Sequence, residues 1–252
     1  MGSFYDFLPY KYGPFSFQMY RDVGELERCG YITTRNDSFC SGEGQLANPE
    51  IERLPEWQKS CVKDIVTSYS ALSQSSLIAD VYSRYPWYAV RSELDEAKNV
   101  DLPEIPVAEP AVYTAGYEGK SLDSFLDSML RRGIRCIVDV RKNPLSRKYG
   151  FSKSTLEKTC PNMKLKYVHY EKLGVPSEHR KDINTDADVI TLLDWYETRV
   201  LDDSDEQIRA VAETMARMPS LLLCYEANAA HCHRSRLAQR VAQVSGLSIK
   251  HM

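Results

Sequence analysis

Two different hydrophobic patterns divide this chain of 252 residues. Near the start, apolar side chains recur at helical spacing up to Gly30, and a short strand at 31–33 then leads into a polar turn with Asn36 and Asp37. Further helices are predicted over 56–70 and 74–84. A helix followed by a small hairpin is typical of a winged helix. We therefore expect a smaller, mainly helical, winged-helix-like domain over 1–98.

Beyond that part the pattern changes to apolar strands that alternate with helices. Strands are predicted over 111–115, 135–140, 165–169, 220–225 and from 247 onward, and helices over 122–132, 188–201, 206–217 and 232–245. This alternation predicts an α/β fold with a parallel or mostly parallel sheet and helices on both faces, spanning 111–252. Three prolines among acidic residues predict a linker over 99–110.

Composition narrows the class of protein. Hydrophobic residues make up 43% of the chain and charged residues 27%, which is typical of globular domains. No apolar run reaches the roughly 20 residues of a membrane span, and the amino terminus lacks a basic stretch followed by an apolar one. The seven cysteines are scattered rather than closely spaced. We expect a cytoplasmic protein with reduced thiols and no membrane contact.

The net charge of −3 hides an uneven distribution along the chain. Residues 1–105 carry a net −6, whereas 131–181 hold 14 Lys and Arg against 4 Asp and Glu, a net +10. Such a block favours an anionic partner, and the aromatic residues within it suit unpaired bases. We expect nucleic acid as the partner, with a phosphate-bearing small molecule as the second choice. The acidic first domain instead predicts contact with a protein or a second copy of the chain, giving a homo-oligomer.

Polar residues gather after the predicted strands, where loops from separate strands of a parallel sheet meet and ligands bind. The residues that we expect to contact the substrate are Gly116, Tyr117, Arg141, Ser146, Arg147 and Arg234. The residues that we expect to be catalytic are Glu118, Asp139, Glu226, Cys232 and His233.

The same loops carry a family resemblance. Their motifs are Gly-Tyr-Glu-Gly at 116–119, Asp-Val-Arg at 139–141 with Pro144 and Ser146-Arg147, Leu173-Gly174, Cys224-Tyr225-Glu226 and Cys232-His233-Arg234. In this order they resemble the family called domain of unknown function 488, over residues 111–252. The resemblance implies no activity. Residues 4–90 resemble the winged-helix part sometimes fused ahead of this domain and Panacea-type antitoxin domains, which implies DNA binding or a regulatory, defence role.

Cys232 lies at the start of a predicted helix, where the helix dipole attracts anions and lowers the pKa of a thiol. A covalent nucleophile and a ligand-facing contact both fit this position. A phosphatase loop also needs an arginine six residues later, but Ala238 stands there. Zinc bound by Cys232, its two histidine neighbours and Cys224 is not favoured, because adjacent residues on a turn point in different directions. We expect no metal and no cofactor.

Asp139 and Arg141 alternate along one strand and so share a face. Asp139 is either a proton-transfer group or half of a structural ion pair, and both alternatives stay open. Three functions also stay open. The first is binding of nucleic acid or a nucleotide phosphate, with or without processing of it. The second is a small-molecule thiol enzyme that uses Cys232, and the third is a non-enzymatic regulatory or defence module. Whether the protein is an enzyme is not decided by the sequence.

Overall fold

The computed structural model describes residues 4–35, 38–42, 53–181 and 183–252. The chain divides into two compact units, Met1–Glu104 and Ile105–Met252. The predicted turn residues Asn36 and Asp37 lie outside the described residues. No helix within these ranges is both long enough and apolar enough to cross a bilayer.

The first unit combines two short antiparallel strand pairs with helices. Strand β1 (Leu8–Tyr10) pairs with β2 (Gly13–Phe15), and β3 (Ile32–Arg35) pairs with β4 (Ser38–Ser41). Its helices are α1 (Phe17–Arg28), α2 (Glu56–Tyr69), α3 (Gln74–Arg84) and α4 (Pro86–Ala89), followed by a 3₁₀ turn at Asp95–Asn99. The pair β1–β2 was not predicted from the sequence, because three-residue strands are too short to show an alternating pattern.

The core of the first unit is small. Tyr82, Ala89 and Ala97 form a buried cluster, and its Tyr82 ring also packs against Gly13. Gly13 has φ +105°, and a Cβ there would lie 2.7 Å from the ring, so both its conformation and its contact require glycine. Helices α1 and α2 bury none of their residues.

The second unit contains a parallel five-stranded sheet, as expected for an α/β fold. Its strands are β5 (Val112–Gly116), β6 (Cys136–Asp139), β7 (Lys166–His169), β8 (Ser220–Cys224) and β9 (Ile249–His251). They lie in the order β7-β6-β8-β5-β9, and all neighbouring pairs are parallel. Every residue of β5, β6 and β8 is buried, so both faces of the sheet centre are covered.

In the part of the chain that the structure describes, five α-helices accompany this sheet: α5 (Leu122–Arg131), α6 (Lys153–Asn162), α7 (Asp186–Tyr196, continued by a π turn over Glu197–Leu201), α8 (Asp205–Arg217) and α9 (His233–Ser245). Apolar residues of α8 and α9 form one core cluster with strand residues such as Val138 and Leu222. Helix α6 was not predicted from the sequence. It buries only Leu156, Thr159 and Cys160, and its Pro161 looks like a helix breaker.

The strand order creates a crevice at the carboxyl edge of the sheet. Strand β8 lies between β5 and β6 although it follows both along the chain. The connection from β6 leads toward β7, whereas the connection from its neighbour β8 leads the other way, toward β9. Loops that diverge in this manner leave a crevice at the strand ends, where ligands bind in open parallel sheets.

The segment predicted as a linker is divided between the two units. Val100 and Leu102 pack against the core of the first unit. The Ala108 amide donates a hydrogen bond to the Gly133 carbonyl oxygen in the second unit, at 3.4 Å. The boundary between the two units lies after Glu104, within the segment predicted as a linker.

Candidate functional site

Asp139 and Arg141 form a buried, two-pronged ion pair at the end of β6. The Arg141 Nε and Nη2 atoms donate to the two carboxylate oxygens of Asp139, which also accept from the Arg141 amide and the Tyr167 hydroxyl. Asp139 is 0% exposed and Arg141 is 4% exposed. Although burial alone lowers the pKa of Arg141, its bonds to Asp139 outweigh that effect and raise it. With both oxygens engaged, this arrangement favours the structural alternative for Asp139.

Tyr117 links this pair to the loop that follows β6. Its hydroxyl accepts a hydrogen bond from Arg141 Nη1 at 2.9 Å and donates to Ser146 Oγ at 3.4 Å. Its ring stacks on Phe151 at 4.1 Å between ring centres. Ser146 Oγ also accepts from the Lys148 amide. Tyr117 and Ser146 thus hold the loop in shape, and Tyr117 itself is only 3% exposed.

A cleft of about 320 Å³ opens beside this loop. The cationic side chains that line it are Arg141, Arg147, Lys148 and Arg180, and its further polar lining comes from Asn143, Ser146 and Ser177. No carboxylate of the described residues lines the cleft. A larger depression of about 710 Å³ lies in the first unit, but Glu96 is the only charged residue in its lining. The smaller cleft therefore offers more charged groups to a ligand than the larger depression does.

Three of the four cations in the cleft are available to a ligand. Arg147 and Arg180 are exposed and Lys148 is half-buried, and none of the three forms an ion pair within the described ranges. Arg141 differs because Asp139 already neutralises its charge. The short 3₁₀ helix that carries Arg180 is anchored by His179, whose ring stacks on Trp195 at 3.7 Å.

The loop after β5 packs closely on the loop after β8. A Cβ on Gly116 would lie 1.8 Å from the carbonyl oxygen of Glu226, so this position requires glycine. Glu118 is exposed, and its carboxylate accepts a hydrogen bond from the Ala227 amide at 2.9 Å. Both residues therefore join two loops, and neither lines the cleft.

Cys224, Glu226, Cys232 and His233 lie together at the end of β8 and the start of α9. The two thiols donate to the same Glu226 carboxylate oxygen, at 3.1 Å from Cys224 and 2.8 Å from Cys232. One potential ligand atom from each of the four residues lies within 4.8 Å of the others. Three of the residues are buried and Glu226 is half-buried. We call this group the thiol cluster.

The environment of Cys232 opposes formation of a thiolate without a cation. Cys232 is 1% exposed. Burial, together with the neighbouring Cys224, raises the pKa of the Cys232 thiol well above its ordinary value. For Glu226, burial also acts to raise the pKa, but hydrogen bonds from Cys232, its own amide and Cys224 outweigh that effect and lower it. The cluster therefore favours a carboxylate that accepts from two neutral thiols.

Arg234 is buried beside the thiol cluster and faces main-chain groups. Its Nη1 and Nη2 atoms donate to the carbonyl oxygens of Glu226 and Ala227, while its Nε has no hydrogen-bond partner among the described residues. At 1% exposure it is not presented to a ligand in the cleft. It shapes the loop after β8.

The family model described as Domain of unknown function DUF488 matches residues 121–241. The C-terminal unit is similar to this family. No curated protein and no solved structure matches the chain. We refer to the second unit, Ile105–Met252, as the DUF488-like domain. Its functional interpretation must come from the geometry, because the family description names no activity.

The structure divides the predicted site residues of the DUF488-like domain into groups. Tyr117, Arg141, Ser146 and Arg147 line the cleft. Asp139 is paired with Arg141. Glu226, Cys232 and His233 form the thiol cluster with Cys224, and Gly116, Glu118 and Arg234 shape the loops.

Sequence reasoning did not select seven of the residues that line the cleft: Asn143, Leu145, Lys148, Val175, Ser177, Arg180 and Tyr225. Lys148 and Arg180 lie within the basic block at 131–181, so charge density was a usable signal for them. Tyr225 directly precedes Glu226 in the motif after β8. Nothing in the sequence indicates that the 3₁₀ helix with Arg180 turns toward the loop after β6.

Proposed function

We propose that the DUF488-like domain binds a phosphate-bearing ligand of the nucleotide type, free or within a nucleic-acid strand, in the cleft beside Arg147. The observation that carries this proposal is the combination of four cationic side chains, two tyrosines and no carboxylate in the described lining of one cleft. Its volume of about 320 Å³ is at the lower end for small-ligand sites, which run from about 300 to 1,000 Å³.

The available charges support contact with phosphate. Guanidinium groups bind phosphate oxygens through paired hydrogen bonds, and Arg147 and Arg180 are both exposed for this purpose. Lys148 adds a third positive charge. Ser146 and Ser177 supply hydroxyl donors in the same lining. We assign Arg141 a lesser role, in which it supports Tyr117 and the loop rather than the ligand.

The apolar part of the lining supports contact with a base. Tyr225 is 44% exposed and Leu145 is 78% exposed, so both offer apolar surface at the cleft. Tyr225 meets the Tyr117 ring edge to face, with 5.3 Å between ring centres. An exposed aromatic ring beside cations is the arrangement that stacks an unpaired base while its phosphate is held. Single-stranded nucleic acid is therefore the form of polymer that we expect.

Fluorescence anisotropy with labelled single- and double-stranded DNA and RNA tests this function. We expect binding that prefers single strands and weakens as salt rises. Arg147→Ala combined with Arg180→Ala should weaken binding by about 10-fold or more, since two charge-assisted contacts are lost. Arg209→Ala is the matched control, because it removes an exposed arginine outside the cleft. A free nucleotide that competes fully at low concentration would assign the site to a small molecule.

The remaining predictions stay open. A thiol enzyme that uses Cys232 is not favoured by the burial of that thiol. Catalytic roles for Glu118, Asp139, Glu226 and His233 stay predictions, as do a cytoplasmic location and a regulatory or defence role. We likewise keep as a proposal that the first unit is winged-helix-like and contacts a protein or a second copy. Its net charge of −6 over residues 1–105 does not favour a DNA backbone.

A further inference from the structure

We propose that Cys224, Cys232, His233 and Glu226 bind one zinc ion. This inference is independent of the cleft and of its ligand. The four side chains come from the end of β8, the loop after it and the first turn of α9, so a bound ion would tie these three segments together. Two thiols, one imidazole and one carboxylate are a ligand set that suits zinc, because all three group types bind this metal in proteins.

The spacing of the donors fits a tetrahedral ion. Zinc lies about 2.3 Å from sulfur and about 2.1 Å from nitrogen, so these two ligands are about 3.6 Å apart in a tetrahedron. Cys224 Sγ lies 3.7 Å from His233 Nδ1. The Glu226 oxygen is nearer to the sulfurs, at 3.1 and 2.8 Å, than the roughly 3.5 Å of a zinc site. Its half-buried side chain would retreat by several tenths of an ångström on binding.

The hydrogen bond that His233 makes to the main chain is compatible with metal binding. Its Nε2 atom lies 3.1 Å from the Val140 carbonyl oxygen, which can only accept, so Nε2 carries the proton. Nδ1 is then the unprotonated nitrogen. Cys224 Sγ lies 3.7 Å from Nδ1 and 4.0 Å from Nε2, so the ring would have to turn on binding to aim the Nδ1 lone pair at the ion. Metal-binding histidines almost always donate their other ring N–H to a carbonyl, carboxylate or water in this manner. The main chain directly after β6 therefore sets the tautomer that a metal requires.

The charges of the cluster are compatible with zinc. Two thiolates, one carboxylate and a neutral imidazole carry −3, and a divalent ion brings the total to −1. Without metal, two neutral thiols and the Glu226 carboxylate also carry −1. Zinc thus replaces two thiol protons, which leave to solvent, and the net charge does not change. Buried Arg234, which donates to the Glu226 carbonyl oxygen, offsets this charge in either state.

This assignment differs from the zinc set considered in the sequence. His231 is exposed, and its Nε2 lies 3.7 Å from an Asp186 oxygen, so it turns away from the cluster. Glu226 takes its place in the cluster, because its carboxylate accepts hydrogen bonds from both Cys224 and Cys232. Adjacent residues do point in different directions, as expected. Cys224 at the end of β8 and Glu226 in the loop after it supply the second thiol and the carboxylate.

Metal content of the purified full-length chain tests the proposal. Cys29, Cys40 and Cys61 are exposed in the first unit and are first changed to serine, so that they cannot bind metal adventitiously. We expect one zinc per chain after dialysis, and release of about two protons when the apo chain takes up Zn²⁺. Cys232→Ser should weaken Zn²⁺ binding by about 100-fold or more, since even partners of the ligands matter by 10–100-fold. Cys160→Ser, which removes another buried thiol, should leave it unchanged.

A cobalt titration of the chain with intact Cys224 and Cys232 keeps the proposal testable if Cys232→Ser fails to fold. Co²⁺ in this site should give thiolate-to-metal charge-transfer absorption and the strong visible bands of tetrahedral coordination. Absence of Zn²⁺ uptake, a cobalt spectrum without thiolate bands, or equal loss of zinc in Cys160→Ser would overturn the site. A disulfide between Cys224 and Cys232 that reforms after reduction, with no metal bound by the reduced chain, would overturn it as well.

Discussion

Two polar groups at the carboxyl edge of the sheet differ in how their charges are satisfied. At the end of β6, Asp139 and Arg141 neutralise each other, and both oxygens of Asp139 accept hydrogen bonds. At the end of β8, Cys224, Cys232 and Glu226 offer two thiols and one carboxylate, yet no cationic side chain of the described residues forms an ion pair with Glu226. In the first group both charges are paired, whereas in the second the Glu226 carboxylate accepts hydrogen bonds from two thiols and keeps its negative charge.

This difference separates structural from ligand-binding chemistry. A buried ion pair with every donor and acceptor engaged fixes the positions of loops and offers little to a ligand. A buried set of thiols, imidazole and carboxylate with a fixed tautomer offers lone pairs that one cation can share. The cleft is a third case, since Arg147 and Arg180 are exposed cations that lack a carboxylate within the described residues. Residues that look alike in the sequence therefore differ in role according to how deeply they are buried and which charged or hydrogen-bonding groups they contact.

The largest expected effect comes from breaking the ion pair between Asp139 and Arg141. Arg141→Met should destabilise the chain by about 3–5 kcal/mol, because it leaves the Asp139 charge buried without its partner. Adding Asp139→Leu should recover part of that loss, since no uncompensated charge then remains. Urea unfolding of the full chain measures both changes.

Arg131→Ala is the control, because its pair with Asp127 is partly exposed and should contribute no more than about 1 kcal/mol. If Arg141→Met costs as little as this control, the pair does not support the fold as we describe it.

A smaller effect is expected when the contact between the loops after β5 and β8 is disturbed. Gly116→Ala should cost about 3 kcal/mol, because the added methyl would overlap the Glu226 carbonyl oxygen. Gly24→Ala is the control, since no atom lies within 4 Å of its Cβ position and alanine favours the helix interior. Thermal unfolding compares the two variants. A stable Gly116→Ala would show that the two loops do not pack as closely as described.

Thiol labelling sharpens the distinction between a nucleophile and a buried ligand. We expect iodoacetamide to modify exposed Cys61 at least about 100-fold faster than Cys232, because a buried thiol reacts only when the structure opens. Cys160 is the buried reference: its burial raises its pKa to about 12. Peptide mass spectrometry gives the three rates. Labelling of Cys232 faster than Cys61 at neutral pH would restore the thiol-enzyme hypothesis.

The alternating pattern of the second unit predicted its fold class, because central parallel strands are apolar on both faces. All five predicted strands are present, and the carboxyl-edge position of the polar loops follows from that topology. Helix α6 was missed because its amphipathic pattern is weak and includes Pro161. Boundaries differ by one or two residues at most strand ends, where the first and last hydrogen bonds decide the limits.

The roles of the site residues were harder to predict than their location. Arg141 and Arg147 look equivalent in sequence, but alternation along β6 places Arg141 on Asp139, whereas Arg147 lies in an exposed loop. Cys232 appeared activated because it begins a helix, yet the fold buries it against Cys224 and so raises its pKa. These differences depend on contacts between residues far apart in the chain, which a local pattern does not contain.

The salt dependence of binding to a single-stranded oligonucleotide tests the central claim, that Arg147 in the cleft holds a phosphate. Affinity is measured by anisotropy at several salt concentrations for the wild-type chain, Arg147→Ala and the control Arg209→Ala. We predict that Arg147→Ala weakens binding by about fivefold and reduces the log-log salt slope by about 0.7, the value for one phosphate contact on a single strand. Arg209→Ala should change neither quantity. Equal slopes for Arg147→Ala and the wild-type chain, or binding that does not respond to salt, would contradict the account.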